Sequence, residues 1–243
     1  MRGHGWVPGK VSVVIVVFNR VDLTQACVNS ILASDDVGLV HELVFVDNHS
    51  TDETPEYLRA FHAANPQNVQ IATLTENVGY SRGANVGAGL AEGEFVFLLN
   101  NDTEVRDGWL RTQLEQMEPD VGAVAGTLID PDGTIQHTGV EFRRDGTELV
   151  AYNTTTDRPA SDMDCIAGTA SLMRAYAYWQ GGGHDPTFRN GYEDVDLCLR
   201  FRDRGWRLRY TPDSVVMHHK HASGPERWAN VQDNIARLQE LWG

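Results

Sequence analysis

The sequence predicts a single α/β domain built on a mostly parallel central sheet with helices on both faces. Three observations carry that expectation. Short apolar runs alternate with helical segments through the first half, with brief connections between them. The opening run, Val11 to Phe18, is β-branched and almost continuously apolar, as in a strand covered on both faces. Polar clusters then fall where the strands end, at Asn19, Asp47, Asn77 and Asn100 to Asp102. Open α/β sheets hold their ligands beyond those carboxyl ends.

Taken in order, Asp22 and Gln25 form a capping box that opens a helix running to Ala33. Leu43 to Val46 is a second strand ending at Asp47. Thr54-Pro55 caps a helix to Ala64, with proline at its first position. Val69 to Leu74 is a third strand, Ser81 to Ala91 a glycine- and alanine-rich helix, and Glu94 to Leu99 a fourth strand. Asp107 caps a helix that stops at Glu118-Pro119. The second half is less regular. Val121 to Ile129 and Ala167 to Met173 read as strands, and Asp130 to Gly133 as a turn. A helix from Tyr192 ends at Gly205, and two short strands, Arg207 to Tyr210 and Ser214 to Met217, follow it. Glu226 to Trp242 is an amphipathic terminal helix. With no repeat or long linker, the chain divides into two abutting lobes, residues 10–125 and 126–243.

Composition narrows the function. The formal charge is −14, from 20 basic and 34 acidic residues. Such a surface gives no electrostatic footprint for nucleic acid. An anionic ligand would need a local cation, a metal or an arginine. Cys27, Cys165 and Cys198 are widely spaced and odd in number, which predicts neither a disulfide framework nor a structural zinc site and fits a reducing cytoplasm. The apolar run near the start is too short to span a bilayer, and no secretory signal is visible. The terminal helix carries Trp228, Leu238, Leu241 and Trp242, suited to packing on the domain or to a peripheral contact with the inner face of the membrane or a second copy.

Five segments could carry chemistry. Asn100-Asn101-Asp102 follows a buried strand, and Asp102 could anchor Mg²⁺ or Mn²⁺, which prefer oxygen ligands; an Asx turn explains the segment equally well. Glu193, Asp194 and Asp196 stand in the first turn of a predicted helix, where acids complement the helix dipole. Asp196 has Arg200 as its i,i+4 partner. Glu193 and Asp194 have no such duty and suit a general base. His218 and His221 have metal-like spacing, without the cysteines of a zinc site. Asp47 could accept hydrogen bonds from a base or a ribose, while Asn48 to Asp52 read as a turn. The segment Asn77 to Gly87 lacks both the dinucleotide fingerprint and the P-loop pattern, and its small residues let a helix approach a sheet or a ligand.

In combination these segments resemble the inverting family 2 glycosyltransferases with the Rossmann-like GT-A fold, especially their rhamnosyltransferase-like branch. The resemblance runs from Val11 to His221 through Phe18-Asn19-Arg20, Val46 to Asp52, Asn77-Val78-Gly79, Leu98 to Thr103, Gly182 to Asp185, Glu193 to Leu197 and His218. It implies a transferase that moves a sugar from a UDP- or dTDP-linked donor to a hydroxyl of a glycan, lipid-linked saccharide or protein. The first lobe would bind the donor and the second the acceptor. Val17, Phe18, Asn19, Arg20, Asp47, Asn77, Gly79, Arg82, Asn100, Asn101 and Asp102 would face the nucleotide sugar. Asp102 and His218 would hold Mg²⁺ or Mn²⁺, with Asn100 standing where the family's metal motif has its first acid. Asp194 would be the catalytic base with Glu193 beside it. His184 and Asp185 would lie on the acceptor side, His184 replacing a common phenylalanine. A sugar nucleotidyltransferase and a non-catalytic nucleotide-sugar-binding module are the alternatives; the first is disfavoured because no glycine follows the first strand.

Overall fold

The computed structural model describes residues 5–145, 148–220 and 230–243. The first half alternates as expected: β1 (Val7–Val17), α1 (Val21–Ala33), β2 (Val40–Asp47), α2 (Thr54–Ala64), β3 (Val69–Thr73), α3 (Tyr80–Leu90) and β4 (Gly93–Asn100). A short β5 (Thr103–Val105) and α4 (Arg111–Glu115) lead to β6 (Val121–Ile129) and β7 (Ile135–His137). A hairpin of β8 (Val140–Asp145) and β9 (Glu148–Asn153) precedes β10 (Ser161–Asp162), β11 (Ala170–Arg174) and α5 (Ala175–Gln180). The chain ends with α6 (Glu193–Asp203), β12 (Arg207–His218) and α7 (Val231–Trp242).

One ten-stranded sheet runs through both halves in the order β10-β12-β6-β11-β4-β1-β2-β3, with β5 beside β12 and β7 beside β6. Strands β4, β1, β2 and β3 are parallel, as are β6 and β12, and β11 joins the two sets by running antiparallel to both β4 and β6. The pleat of β1 explains why its run is continuously apolar. Val14 and Val16 enter one core, with Ala84 and Ala88 of α3 and Leu197 and Phe201 of α6. Val13, Ile15 and Val17 enter the other, with Cys27, Val28 and Ile31 of α1 and Leu58 of α2. Helices therefore cover both faces, and each strand residue has somewhere apolar to go. Gly83 and Gly87 let α3 lie directly on this surface: a Cβ at Gly83 would sit 2.8 Å from Val16 Cγ1, and one at Gly87 would collide with Val14.

Several local expectations need correction. The Asp22–Gln25 capping box does not form. Arg20 occupies the cap position in a left-handed conformation, and its guanidinium binds the Asp22 carboxylate at 2.8 and 2.9 Å. Asp107 does not cap a long helix. It accepts from Asp35 N–H, and α4 is five residues long. The buried Asp36 instead accepts from the N–H groups of Leu110 and Arg111 at that helix start. The two short strands expected at 207–217 are one strand, whose register shifts between Tyr210 and Val215. That irregularity accommodates Pro212, which has no N–H to give the ladder. Gly205, at φ +82°, ends α6 in the expected way. His221 and Trp228 lie outside the described residues. No helix among those described is long and apolar enough to cross a membrane. Within α7, Leu238 is buried on the domain while Leu241 is exposed.

Candidate active site

The parallel register lines up the ends of the central strands. Val17 pairs with Asp47 across β1 and β2, and Val16 pairs with Asn100 across β1 and β4. Asp47 is buried and its Oδ1 accepts from Ser50 N–H at 2.9 Å. Val17 is buried and offers its carbonyl to Asn48 N–H, whereas Phe18 is 43% exposed. Asn19 and Arg20 both take left-handed φ values, 55° and 56°. The strain is held by neighbours: Asn19 donates its N–H to Ser50 Oγ, and its side-chain oxygen accepts from Thr51 N–H at 2.7 Å.

Asn77 and Gly79 belong to the same rim. Asn48, at the start of the expected turn, is buried and ties the two loops together. Its Nδ2 donates to Asn77 Oδ1 at 3.0 Å, and its Oδ1 accepts from Val78 N–H at 2.9 Å. Gly79, at φ +82°, leads directly into α3. Arg82 is exposed on that helix.

Beyond β4 the chain turns sharply. The carbonyl of Asn100 accepts from Thr103 Oγ1, and Asn101 Nδ2 donates to Thr24 Oγ1 at 3.1 Å. Asp102 is 6% exposed, and its Oδ1 lies 3.4 Å from Nε2 of His218, which is 4% exposed at the end of β12. The ladder between β5 and β12 brings them together, with Thr103 opposite His218. Asn100 Oδ1 is buried with no hydrogen-bond partner among the described residues.

Asp194 reaches the same edge from α6. Its Oδ2 accepts from Gly168 N–H at 3.1 Å. Gly168 adjoins Thr169, whose carbonyl accepts from Asn100 N–H at 2.9 Å. A Cβ at Gly168 would stand 2.9 Å from Asp194 Cβ, so only glycine lets the carboxylate sit so close. The loop leading to α6 carries three successive positive φ angles, 52° at Asn190, 135° at Gly191 and 67° at Tyr192. Glu193 Oε2 accepts from Gly191 N–H at 2.5 Å. Asp196 is buried and ion-paired with Arg200 at 2.6 Å, as its spacing predicts.

Two side chains, Tyr80 in the Asn77–Gly87 segment and His137 outside every motif, register this convergence. Burial, chiefly, raises the Tyr80 phenol well above its ordinary pKa, and the charges of Glu193, Asp194 and Asp102 raise it further. His137 is pulled down by burial, while Asp194 opposes that shift and His218 adds to it. His184 does not stand on an open rim. It is 1% exposed, with Nδ1 3.0 Å from the Tyr178 hydroxyl and its ring packed 5.9 Å from Tyr80. Asp185 caps the turn after it, accepting from the N–H and hydroxyl of Thr187.

The residues fit a hard divalent cation. Two adjacent ligands of an octahedral ion, each at about 2.1 Å, lie roughly 3 Å apart, close to the 3.4 Å between the Asp102 oxygen and the His218 nitrogen. No group of three or more His, Cys, Asp or Glu side chains suited to a metal occurs among the described residues. Mg²⁺ and Mn²⁺ tolerate so few protein ligands because water and substrate phosphates complete the shell.

Comparison with known proteins shows the family. The profile of "Glycosyl transferase family 2" matches residues 12–182, and the chain belongs to that family. It is 30% identical over 226 residues to the O-antigen biosynthesis protein RfbC of Myxococcus xanthus, spanning 88% of this chain and 18% of that protein. It is 27% identical over 212 residues to the N-acetylglucosaminyl-diphospho-decaprenol L-rhamnosyltransferase of Mycobacterium tuberculosis (strain ATCC 25618 / H37Rv), spanning 75% of this chain and 68% of that one. Among solved structures it resembles GalNAc-T7 with UDP, GalNAc and Mn²⁺, with a TM-score of 0.78 over 96% of this chain and 48% of that one, at 18% identity. The fold is thus that of the GT-A glycosyltransferases, and the Myxococcus and GalNAc-T7 matches are each to one part of a longer protein.

Proposed function

We propose that this domain is an inverting glycosyltransferase that moves a sugar from a UDP- or dTDP-linked donor to an acceptor hydroxyl, assisted by Mg²⁺ or Mn²⁺. The observation that carries the reading is the path Asp194–Gly168–Thr169–Asn100, which brings a helix-borne carboxylate to the strand end that bears Asp102. The names of the relatives support a cell-surface or lipid-linked saccharide as acceptor.

An acceptor hydroxyl is a weak nucleophile at neutral pH. Asp194, fixed by Gly168 N–H on one oxygen and Val195 N–H on the other, would accept its proton as it attacks the anomeric carbon. Attack opposite the leaving diphosphate inverts that centre. Asp102 and His218 would hold the cation that, when bound, supplies positive charge against the departing diphosphate. Asp47 and the backbone of Val17 to Arg20 would seat the nucleotide. Glu193, tied to Gly191, would keep the base helix start in place. Arg82 would add positive charge near the donor, and Asp185 would shape the acceptor side.

The test is a screen of nucleotide sugars with and without Mn²⁺, read as nucleoside diphosphate release. Asp194→Asn is expected to keep donor affinity within about threefold while turnover falls by roughly 10²–10⁴-fold, the usual contribution of a general base. Transfer at the parent rate would remove Asp194 from that role, and release of pyrophosphate instead would make the enzyme a nucleotidyltransferase. Asp102→Ala is expected to abolish the Mn²⁺ dependence of donor binding measured by calorimetry. Unchanged dependence would place the cation elsewhere.

A further inference from the structure

Gln136 stands on β7, buried at 7% exposure, directly behind His218. Its carboxamide makes three contacts. Nε2 donates to Asp130 Oδ1 at 2.8 Å and to the backbone carbonyl of His218 at 3.2 Å. Oε1 lies 2.7 Å from His218 Nδ1. These contacts leave one arrangement. A carbonyl oxygen only accepts, so the amide nitrogen must be the atom facing it, and the amide cannot be flipped. Oε1 therefore faces the imidazole, and because it too only accepts, His218 Nδ1 must carry the hydrogen. In the neutral ring the lone pair is then on Nε2, the atom 3.4 Å from the Asp102 carboxylate.

Two acceptors held face to face, with hydrogen bonding behind one of them satisfied, make a two-ligand seat for a cation. We propose that Gln136 is a positioning residue that fixes the tautomer and ring orientation of His218, so that Nε2 and Asp102 present a preformed nitrogen–oxygen pair to the divalent cation. The inference rests on the metal reading of Asp102 and His218, and it assigns the selection of the ligand atom to a residue outside that pair. Asp130 extends the support. It anchors the amide nitrogen, and its N–H donates to the carbonyl of Thr134 across the turn before β7. The β6–β7 turn is thereby coupled to the orientation of a ring on β12. An outer partner of this kind, when removed, commonly lowers metal affinity 10- to 100-fold.

The test uses the full chain labelled with ¹⁵N-histidine and compares the parent with Gln136→Met, which keeps length and flexibility but offers no amide. Long-range ¹H–¹⁵N spectra at pH 9 without metal, the His218 signal assigned through His218→Ala, report the tautomer directly. The parent is expected to show the Nδ1–H form at His218, and Gln136→Met a mixture of the two neutral forms. Mn²⁺ titration by calorimetry is expected to show a roughly 10- to 100-fold weaker affinity in Gln136→Met and no binding in His218→Ala. An Nε2–H tautomer in the parent overturns the proposal whether or not the variant folds. An unchanged tautomer together with parent Mn²⁺ affinity in Gln136→Met also overturns it while leaving the metal reading intact. Parent Mn²⁺ affinity in His218→Ala defeats the metal reading itself, which the tautomer spectra then distinguish from a failure of Gln136 to hold the ring.

Discussion

His184 links burial to acid sensitivity at the scale of one residue. Its ring is enclosed by Tyr178 and Tyr80, and burial, aided by the charge of Arg200, pulls its pKa down to about 3. In the unfolded chain an imidazole takes its proton near pH 6.5. Between those values the unfolded state binds the extra proton. The stability that comes from burying the neutral ring is therefore complete above pH 6.5 and is lost as the pH falls towards 3, by about 1.4 kcal/mol per unit. Urea unfolding at pH 6.5 and pH 5 should show the parent losing about 2 kcal/mol more than His184→Phe over that interval. Equal losses would mean that the ring is hydrated or already charged in the folded protein. The three cysteines are free, buried thiols, and burial pushes the Cys27 thiol up to about 12.

At the scale of elements, α7 braces the loop that delivers Asp194. Asn234 is buried and its side chain spans that loop, donating to the carbonyls of Arg189 at 3.0 Å and Gly191 at 2.9 Å. Trp242 on the same helix donates its indole N–H to Asp196. The left-handed run at Asn190 to Tyr192 persists because it is held from this side. Asn234→Ala is expected to cost about 1–3 kcal/mol, since it removes two hydrogen bonds worth about 0.5–1.5 kcal/mol each. Hydrogen exchange should quicken selectively across residues 189–194; a change spread evenly over the sheet would argue against a local brace.

The same scale separates what could be read from the sequence and what could not. Strands β1, β2 and β4 were legible because apolar runs with polar ends leave few other options. Asp102 and Asp194 stand where the sequence predicts, just past a strand end and in the first turn of a helix, while their proposed roles come from the family resemblance and not from those positions alone. The β8–β9 hairpin was not, since Glu141-Phe142-Arg143-Arg144 has little apolar alternation and the hairpin forms its own two-stranded sheet. Asn48, Gln136 and Gly168 were also missed. Each works through hydrogen bonds or closeness to residues roughly 30 to 80 positions away, and no local pattern encodes such a partner. The Asp22 cap failed because Arg20 competes for that carboxylate at short range.

For the molecule as a whole, one sheet runs through both lobes. β11 lies between β4 and β6, and both cores draw on both halves: Val14 shares one with Leu208, and Val11 shares the other with Val216. Urea unfolding should therefore follow a single transition, with tryptophan fluorescence and far-ultraviolet circular dichroism superimposing. Two resolved steps would show that the lobes fold as separate units. The proposed site includes the acidic side chains Asp47, Asp102, Glu193 and Asp194 in a chain of net charge −14, which bears on what that site would admit. Under the proposed function, an anionic donor would enter accompanied by positive charge, and once that charge departs the same field would favour return of the released nucleotide to solvent, an effect that added salt would blunt.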